Sequence, residues 1–450
     1  MCGINGIISK DKNKDKLIKS MNEKILHRGP DAEGIFVEGD VALGQRRLSI
    51  IDLAGGNQPI YNEDKSILIM YNGEVYNYKE LKEELTEYKF ETESDTEVVL
   101  HGYEKWGHDL PKKLRGMFAY AIYDKNKGEI FISRDQFGIK PLYYYHDGDT
   151  ILFGSEIKSF LAYPKFKKVL NKGLLGAYLT FSFTPTDETF FKGVYRLPSG
   201  HSMTIDVKKR KIKIDRYFKV EFGNTDKSFD EVVKDISTAM KDSTEHHLIS
   251  DVEVGSFLSS GVDSSYLVSL AKPDKTYTIG FDLAKYSEID YAKDLTDKLN
   301  IKNISEKISK EEYMNALSEV YYHMDEPTAD GCAIAVYFLS RLASKDVKVV
   351  LSGEGADEFF GGYNSYDDNF YTKLPFFIRK SMASICKILP KNKITRYIIR
   401  RGLPLEESYV SINRTYYDDE LKDVLKIDNY IKNKDIVKDV YDEYKDYNKL

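Results

Sequence analysis

Apolar and polar residues alternate in short runs over the first 200 or so residues of the chain. Such runs, separated by Gly, Asn and Asp turns, are typical of β-strands, and stretches with apolar residues three and four apart are typical of helices. The predicted strands are Gly3–Ser9, Ile67–Tyr71, Phe118–Tyr123, Ile130–Ser133 and Ile151–Phe153, and the predicted helices are Lys16–Leu26, Tyr78–Leu85 and Thr96–Trp106. The pattern indicates β-sheet layers covered by helices, an α+β fold.

The pattern changes after the charged segment Asp206–Asp230, which we interpret as a linker. Beyond it, strands alternate with helices, which favours a doubly wound parallel sheet of the α/β class. The strands are predicted at Val252–Leu258, Thr276–Phe281 and Val347–Leu351, a helix at Ser264–Ala271, and a helical pattern from Phe370 to the end. We therefore expect one domain at residues 2–205 and a second at residues 231–450, joined by a linker at 206–230.

Composition and charge exclude several classes of protein. The net charge is −6 with both signs interspersed, so neither a nucleic-acid-binding stripe nor a membrane-surface patch is expected. No apolar run approaches the roughly 18 residues of a membrane span, and the N-terminus does not resemble a secretory signal. Cys2, Cys332 and Cys386 are too scattered for a disulfide framework or a zinc cluster, which favours a reducing cytoplasm. Cys332 and Cys386 lie in apolar helical runs and are expected in the core.

Cys2 is the first candidate for chemistry. The preceding Met1 is of the kind that ordinary processing removes before a small residue, which would place a thiol and an α-amino group on one residue. An α-amino group with a pKa near ~7.7–8 can act as a base toward the adjacent thiol. Taken alone, an ordinary small N-terminal residue is the simpler interpretation.

Five further residues change that balance, because together they describe a site for glutamine. The side-chain amide of Asn72 and the backbone N–H of Gly73 suit an oxyanion hole. Arg47 can hold a carboxylate through two parallel hydrogen bonds, and Glu74 and Asp95 can hold an ammonium. Each also has a plain structural interpretation, as a turn, a surface charge or a helix cap.

The motifs of this half of the chain resemble those of class II glutamine amidotransferase domains, and they follow in that family's order. They are Cys2–Ile7, His27–Asp31, Arg47–Ile50, Tyr71–Asn77, Ser94–Glu97, Gly116–Ala119 and Arg134–Leu142. The resemblance implies an N-terminal-nucleophile hydrolase sandwich, two sheets between two helical layers. It also implies that Cys2 is nucleophile and base, that Asn72 and Gly73 form the oxyanion hole, and that Arg47, Glu74 and Asp95 bind glutamine. His27 and Arg28 are expected to order a loop.

A second candidate site follows the strand that ends at Leu258. The next residues, rich in Ser and Gly before a helix, offer hydroxyls, backbone N–H groups and a positive helix end to phosphate; they are Ser259, Ser260, Gly261, Val262, Asp263, Ser264 and Ser265. They lack the Gly-Lys-Ser/Thr of a Walker A loop, so γ-phosphate transfer is not implied. A Ser-rich turn with a helix cap is the alternative without further context.

An acidic, glycine-rich turn follows a strand again at Ser352–Glu358. Both turns would lie at the carboxyl edge of a parallel sheet, where α/β sites form. Asp263 and Asp357 could there share Mg²⁺, which prefers carboxylate and phosphate oxygens.

These two turns look like the ATP-pyrophosphatase domain of asparagine synthetases. The resemblance implies that the Ser259–Ser265 loop binds pyrophosphate, with Ser260 standing where the family has glycine. It implies that adenine and ribose lie near Leu258, Ile279, Ser352 and Gly353, that Glu354 assists ammonia attack, and that Asp325–Asp330 is an aspartate-side loop. The implied cofactors are ATP and Mg²⁺, and the implied partners are glutamine, aspartate and ATP.

The combined resemblance implies that glutamine is hydrolysed through a Cys2 thioester and that ammonia attacks a β-aspartyl-AMP intermediate. Glutamate, asparagine, AMP and pyrophosphate would be released. The alternatives are another acid-activating ligase, such as the β-lactam synthetase type, a glutaminase-only fragment, or a non-catalytic glutamine-sensing protein. The acceptor acid, the preference for glutamine over free ammonia and the assembly state stay open, with a homodimer among the alternatives.

The resemblance weakens after Tyr363, and the chain ends at Leu450 within a polar helical pattern, Asp435–Lys449. The family usually continues with a lysine-bearing segment and an Arg-Val-Pro-Phe-Leu-Asp pattern; Lys373–Phe377 is not equivalent to it. We therefore expect an incomplete second domain with exposed apolar helix faces.

Overall fold

A computed structural model describes residues 1–223, 225–282, 287–363, 374–390, 392–404, 407, 416, 418–427 and 429–444. The chain forms two compact units. The first consists of Met1–Val169, Phe191–Asp325 and Tyr337–Ser352, and the second of Leu170–Phe190, Glu326–Val336 and Gly353–Leu450. Some segments named above lie partly outside the described residues: the linker Asp206–Asp230, the start of the helical pattern at Phe370, the segment Lys373–Phe377, and the end of Asp435–Lys449.

The strands are β1 (Gly3–Ile8), β2 (Ala32–Glu38), β3 (Val41–Arg47), β4 (Ile60–Tyr61), β5 (Ile67–Val75), β6 (Gly116–Asp124), β7 (Glu129–Arg134), β8 (Tyr143–His146), β9 (Ile151–Gly154), β10 (Val194–Arg196), β11 (His201–Asp206), β12 (Lys211–Arg216), β13 (Val254–Phe257), β14 (Lys275–Phe281), β15 (Lys302–Ile308) and β16 (Val349–Leu351).

The helices are α1 (Lys14–Lys24), α2 (Tyr78–Glu84), α3 (Asp95–Trp106), α4 (Leu175–Phe181), α5 (Phe229–His247), α6 (Val262–Ala271), α7 (Ile289–Leu299), α8 (Lys310–Met324), α9 (Cys332–Ala343), α10 (Ala356–Phe360), α11 (Phe376–Cys386), α12 (Lys393–Arg401), α13 (Asp418–Leu425) and α14 (Asn433–Glu443). Short 3-10 helices span Leu26–Arg28, Gly107–Lys112, Ile157–Ala162 and Lys172–Leu174.

Two six-stranded antiparallel sheets form the first half of the chain. Their strand orders are β10-β8-β9-β1-β3-β2 and β12-β11-β7-β6-β5-β4. Because successive side chains of a strand point to opposite faces, β1 contributes to two cores. Ile4 and Ile8 face the other sheet and pack with Met70 and Ile132, whereas Ile7 faces outward.

Helices cover the outer face of each sheet. Ile18 and Met21 of α1 pack with Ile7, and Val98 and Val99 of α3 pack in the cluster that covers β5 and β6. The layers are helix, sheet, sheet, helix, so the predicted sandwich is confirmed. The bounds of β1, β6, β7 and β9 differ from the predicted ones by at most two residues at each end.

The segment predicted as a linker contains a strand. Residues Lys211–Arg216 form β12, which pairs antiparallel with β11 from His201↔Arg216 to Asp206↔Lys211. The alternating Ile212 and Ile214 pack against the core between the two sheets, which gives this charged segment one apolar face. The sheet therefore continues beyond residue 205, where the first domain was predicted to end.

A parallel sheet of order β15-β14-β13-β16 follows in the first unit. β13 pairs in parallel with both β14 and β16, and β14 pairs in parallel with β15. The predicted parallel sheet is confirmed. Its edge strand β15 was missed because charged and apolar residues mix along its sequence, Lys302–Ile308.

The second unit is helical where it is described. Its helices α11 and α12, with the segment between them, carry large apolar side chains that are exposed: Phe376, Phe377, Ile385, Ile388 and Ile394. None of the described helices is both long and apolar enough to cross a membrane.

Candidate functional site

Cys2 lies directly before β1, the strand that runs through the middle of the first sheet. Its Sγ accepts a hydrogen bond from the backbone nitrogen of Leu48 at 3.3 Å and contacts the carbonyl oxygen of Leu48 at 3.6 Å. Arg28 Nε donates to the carbonyl oxygen of Cys2 at 2.8 Å. The thiol is therefore held beside the end of β3, where Arg47 lies.

Burial sets the charge of the two reactive groups at the start of the chain. It raises the pKa of the Cys2 thiol, against the lowering effect of the hydrogen bond from Leu48. It lowers the pKa of the chain's amino group, here on Met1, to about 5. Both groups are thus favoured in their neutral forms, so a proton has to leave the thiol when it attacks, and a neutral amine can accept it.

Asn72, Gly73 and Glu74 lie within β5, not after it as predicted. The strand continues to Val75 because its pairing with β6 continues to Gly116, with Gly73 opposite Phe118. A Cβ on Gly73 would lie 2.5 Å from the carbonyl oxygen of Met117, so only glycine lets the two backbones approach this closely.

Two buried polar atoms on this strand have no hydrogen-bond partner among the described residues: Asn72 Nδ2 and Glu74 Oε2. Buried polar groups are normally paired, and those that are not require an explanation. A donor on Asn72 and an acceptor on Glu74 are the groups that an oxyanion and an ammonium would use.

Glu74 and Asp95 are neighbouring buried carboxyls. Burial and the nearby Asp95 charge raise the pKa of Glu74 well above its usual range. Burial likewise raises the pKa of Asp95, against hydrogen bonds from the Tyr71 hydroxyl at 2.7 Å and the Val75 nitrogen at 2.9 Å. Two such carboxyls disfavour each other's ionised form, and a bound cation would relieve both.

Arg47 is buried, and its guanidinium holds a loop of the protein itself. Its two terminal nitrogens donate to the carbonyl oxygens of Ile51, Asp52 and Leu53 and to Asn57 Oδ1, at 2.6–3.3 Å. To bind a carboxylate through two hydrogen bonds, as predicted from the sequence, Arg47 has to give up some of these bonds to the loop.

Lys140 is a residue of this site to which the sequence reasoning gave no role. It is 4% exposed, and burial lowers the pKa of its ammonium to about 8, against the opposing charges of Glu74 and Cys2. Asp135 positions it by accepting hydrogen bonds from the backbone nitrogens of Ile139 and Lys140, both at 2.9 Å. Lys140 belongs to the Arg134–Leu142 motif, but a lysine in a sequence is interpreted as an ordinary surface charge until its burial is known.

The serine-rich segment follows β13, as predicted, but α6 begins at Val262, so Ser264 and Ser265 lie in the first turn of the helix and not in a loop before it. Ser259 Oγ and Ser264 Oγ are 2.9 Å apart, Ser259 Oγ accepts from the nitrogen of Gly261 at 3.1 Å, and Ser265 Oγ donates to the carbonyl oxygen of Gly261 at 2.7 Å. Ser260 Oγ donates to Glu288 at 2.8 Å. Asp263 lies in the first turn of α6 and is exposed. The loop therefore presents hydroxyls and a helix N-terminus together with one carboxylate.

Leu258 and Ile279 lie close to this loop in the parallel sheet. The nitrogen of Leu258 donates to the carbonyl oxygen of Tyr277 at 3.0 Å, and both Leu258 and Ile279 are buried. Ser352 follows β16, the other neighbour of β13. These residues share the carboxyl edge of one sheet, as predicted.

The remaining predicted residues of this site, Gly353, Glu354 and Asp357, belong to the second unit. Glu354 is exposed, and Asp357 is half-buried at the start of α10. A Cβ on Gly362 would lie 1.9 Å from Asp357 Oδ1, so the carboxylate packs closely against a glycine.

One group of ionisable side chains elsewhere in the described chain is close enough to share a metal ion: Glu63, His101 and Glu104. Burial favours the neutral ring of His101, but hydrogen bonds to Glu104 and Glu97 raise its pKa to about 9. An imidazolium between carboxylates is an ion pair and not a ligand set. Cys386 is buried as predicted, whereas the prediction that Cys332 is buried is wrong, because it begins α9 on an exposed turn.

Two family models match the chain, one over the part that contains Cys2 and the other over the part that contains the serine-rich segment. Residues 1–218 match the model of a glutamine amidotransferase domain, and residues 235–441 match the model named asparagine synthase. The Bacillus subtilis (strain 168) protein named asparagine synthetase [glutamine-hydrolyzing] 1 is 40% identical over 100% of this chain and 74% of its own length. A Mycobacterium bovis protein, provisionally named a glutamine-hydrolysing asparagine synthetase, is 37% identical over 89% of this chain and 65% of its own length. The chain thus spans about two thirds to three quarters of the length of these relatives.

Proposed function

Because this chain belongs to the family of glutamine-hydrolysing asparagine synthetases, we propose that it releases ammonia from glutamine at Cys2 and uses that ammonia, with ATP, to convert aspartate to asparagine. Glutamine-dependent asparagine synthesis with ATP is the family's activity. The observation that best supports the first half-reaction in this chain is the pair of unpartnered buried atoms, Asn72 Nδ2 and Glu74 Oε2, on one strand. We place the reaction in the cytoplasm, in keeping with the scattered cysteines.

In the first half-reaction the Cys2 thiol attacks the glutamine carboxamide once Met1 has been removed. The new α-amino group takes the thiol proton and passes it to the departing ammonia, which leaves a thioester that water hydrolyses to glutamate. Asn72 Nδ2 and the nitrogen of Gly73 stabilise the oxyanion. Glu74 and Asp95 pair with the substrate ammonium, and Arg47 exchanges part of its loop contacts for the substrate carboxylate.

In the second half-reaction an oxygen of the aspartate β-carboxylate attacks the α-phosphorus of ATP, and pyrophosphate leaves. Hydroxyls and backbone nitrogens of the Ser259–Ser265 loop hold the pyrophosphate at the N-terminus of α6. Leu258, Ile279, Ser352 and Gly353 border the nucleoside. Ammonia then attacks the acyl carbon, Glu354 takes a proton, and AMP leaves.

Mg²⁺ belongs to this second half-reaction. The exposed carboxylate of Asp263 beside the loop hydroxyls is the oxygen donor that Mg²⁺ prefers, so this residue fits the ion. Asp357 is the second proposed ligand. When bound, the ion neutralises phosphate charge.

Product analysis tests the proposal. The purified chain, given glutamine, aspartate and ATP with Mg²⁺, should release glutamate, AMP and asparagine. Glutamate alone would indicate a glutaminase, AMP with a cyclised acid would indicate a ring-closing ligase, and no product would indicate a binding protein. Either of the first two outcomes contradicts one half of the proposal, and the last contradicts both.

Substitution of Gly73 by alanine should reduce glutamine hydrolysis about a hundredfold. Loss of one hydrogen-bond donor from an oxyanion hole reduces kcat by about this factor. The added Cβ meets backbone atoms of Met117 and Phe118 at 2.5 and 2.8 Å, so β5 has to shift. The measurement is kcat/KM for glutamate release. Gly223→Ala is the control, since nothing lies within 4 Å of a Cβ there. Equal rates in both variants would remove Gly73 from the site.

Glutamine affinity should fall as the pH is lowered. The pKa of free Glu74 is raised, so the site holds a proton below that pKa, and the substrate ammonium has to displace it. The dissociation constant should increase by up to about tenfold for each pH unit below that pKa. Calorimetric titration of Cys2→Ala, which binds without turnover, measures this. In a Glu74→Gln background the dependence should weaken, because only Asp95 of the two carboxyls still titrates, whereas Glu93→Gln, at an exposed site, should retain it in full.

A further inference from the structure

Buried charged side chains lie in series between the start of β1 and the end of α8. Arg28 donates its Nε to the carbonyl oxygen of Cys2 at 2.8 Å and its Nη1 to Glu156 at 2.9 Å. Lys158 contacts Glu156 on one side and Asp325 Oδ1 on the other, the latter at 2.9 Å. These four charged side chains are at most 9% exposed, so solvent screens their interactions little.

Asp325 is held in an unusual backbone conformation. It ends α8 with φ 62° and ψ −45°, which lies outside the left-handed helical region and is costly for a residue with a Cβ. Its second carboxylate oxygen accepts a hydrogen bond from the backbone nitrogen of Ile157 at 2.5 Å. A strained residue persists only while its surroundings hold it, so this conformation depends on Ile157 and Lys158.

The next residue is anchored too, but in the other unit. The Glu326 carboxylate accepts hydrogen bonds from Thr184 Oγ1 at 3.1 Å and from the nitrogen of Phe190 at 2.9 Å, all within the second unit. The bonds of the Asp325 side chain fall within the first unit. Any shift of the Lys158–Asp325 pair therefore reaches residues 326–330 through a single peptide bond.

We propose that Lys158 and Asp325 are positioning residues that couple the two half-reactions, by making the conformation of residues 326–330 depend on the acylation state of Cys2. The inference rests on the proposed function, since it requires a thioester at Cys2 and a second reaction to couple. The two residues act through the ion pairs and not on the reacting atoms. Release of the strained Asp325 would give the second arrangement that such coupling needs. The coupling is reciprocal, so events at residues 326–330 also affect glutamine binding.

Hydrogen exchange of the full chain, before and after Cys2 is alkylated by a diazoketone analogue of glutamine, tests this coupling. In the parent chain, alkylation should change amide exchange at residues 326–330 by about fivefold or more. In Lys158→Met the change at 326–330 should vanish, while the change near Leu48 persists. Lys158→Arg retains the cation and should restore the response.

The ion pair Arg115–Asp242 provides a matched control, because it is exposed and joins the residue before β6 to α5 at 2.5 Å. Arg115→Met should behave as the parent chain does. If Lys158→Met fails to fold because Asp325 is left unpaired, the double variant Lys158→Met/Asp325→Asn removes that charge and should show the same loss. Unchanged exchange at 326–330 in an alkylated parent chain overturns the coupling and leaves the role of Cys2 intact. Failure of the parent chain to be alkylated overturns both.

A second readout separates coupling from stability. Lys158→Met should release about five times more glutamate per AMP than the parent chain, because hydrolysis continues when the second site is not ready. Its AMP formation with added ammonia should stay within about twofold of the parent rate, since the ion pairs of Lys158 do not act on the reacting atoms. Equal glutamate-to-AMP ratios in the two chains would contradict the proposal.

Discussion

Replacement of Cys2 by alanine is expected to abolish glutamate release from glutamine, with a loss on the order of 10⁴-fold or more, as for other nucleophiles. The Cys2 thiol, held against the Leu48 backbone, is the proposed nucleophile of the thioester, and its neighbours Asn72 and Glu74 cannot replace it. Synthesis driven by added ammonia should survive, because the second half-reaction makes no use of the thiol. Glutamate and AMP are measured in parallel.

Cys332→Ala is the control for thiol loss, because Cys332 is exposed and lies in the second unit. It should hydrolyse glutamine at the parent rate. Mass spectrometry of the N-terminus completes the experiment, since the mechanism needs a free amine on Cys2. Glutamate release by Cys2→Ala at the parent rate, or an active chain that retains Met1, would show that the nucleophile has been assigned incorrectly.

Replacement of Asp263 by asparagine is expected to reduce AMP formation about a hundredfold, since a metal ion contributes several kcal/mol to a phosphate transition state. The change preserves the shape of the side chain and removes the charge that would bind Mg²⁺. Glutamine hydrolysis should be unaffected, because Asp263 lies in the first turn of α6 on the parallel sheet. Asp357→Asn should behave in the same way.

Asp290→Asn is the matched control. Asp290 occupies the first turn of α7, which follows the neighbouring strand β14, and it is exposed like Asp263. Its replacement removes an equivalent helix-terminal charge and should leave AMP formation near the parent rate. ATP consumption that is unchanged in both Asp263→Asn and Asp357→Asn would exclude these carboxylates as metal ligands.

Most of the sandwich could be predicted from the sequence, because its core strands are short apolar runs. The spacing of apolar residues along the chain is enough to identify such strands. The errors occur where tertiary pairing overrides local signals. Asn72-Gly73 reads as a turn, yet β6 supplies partners that extend β5 to Val75. The charged segment with Ile212 and Ile214 reads as a linker, yet it adds β12 to the sheet. Neither pairing is encoded within the segment itself.

The residues of the candidate sites were proposed from the sequence, but their electrostatics could not be. Cys2, Asn72 and Glu74 were selected by residue type and order, and the structure places Cys2 before β1 and the other two in β5, within the first unit. The burial of Lys140 and the contacts that occupy Arg47 could not be predicted, because both depend on how loops distant in sequence close over the side chain. The same holds for Lys158, whose partner Asp325 is 167 positions away in the chain.

The central position of β1 also has a consequence for the timing of biosynthesis. This strand is made first, but its partner β9 lies about 150 residues later, with Asn5 opposite Gly154. At about 5–20 residues per second, roughly 7–30 s separate the synthesis of the two strands. During that interval the sheet cannot close over the start of the chain. Met1 therefore stays accessible to processing during that time. If the proposed mechanism holds, slower or faster translation should change the fraction of molecules that gain a free amino group on Cys2.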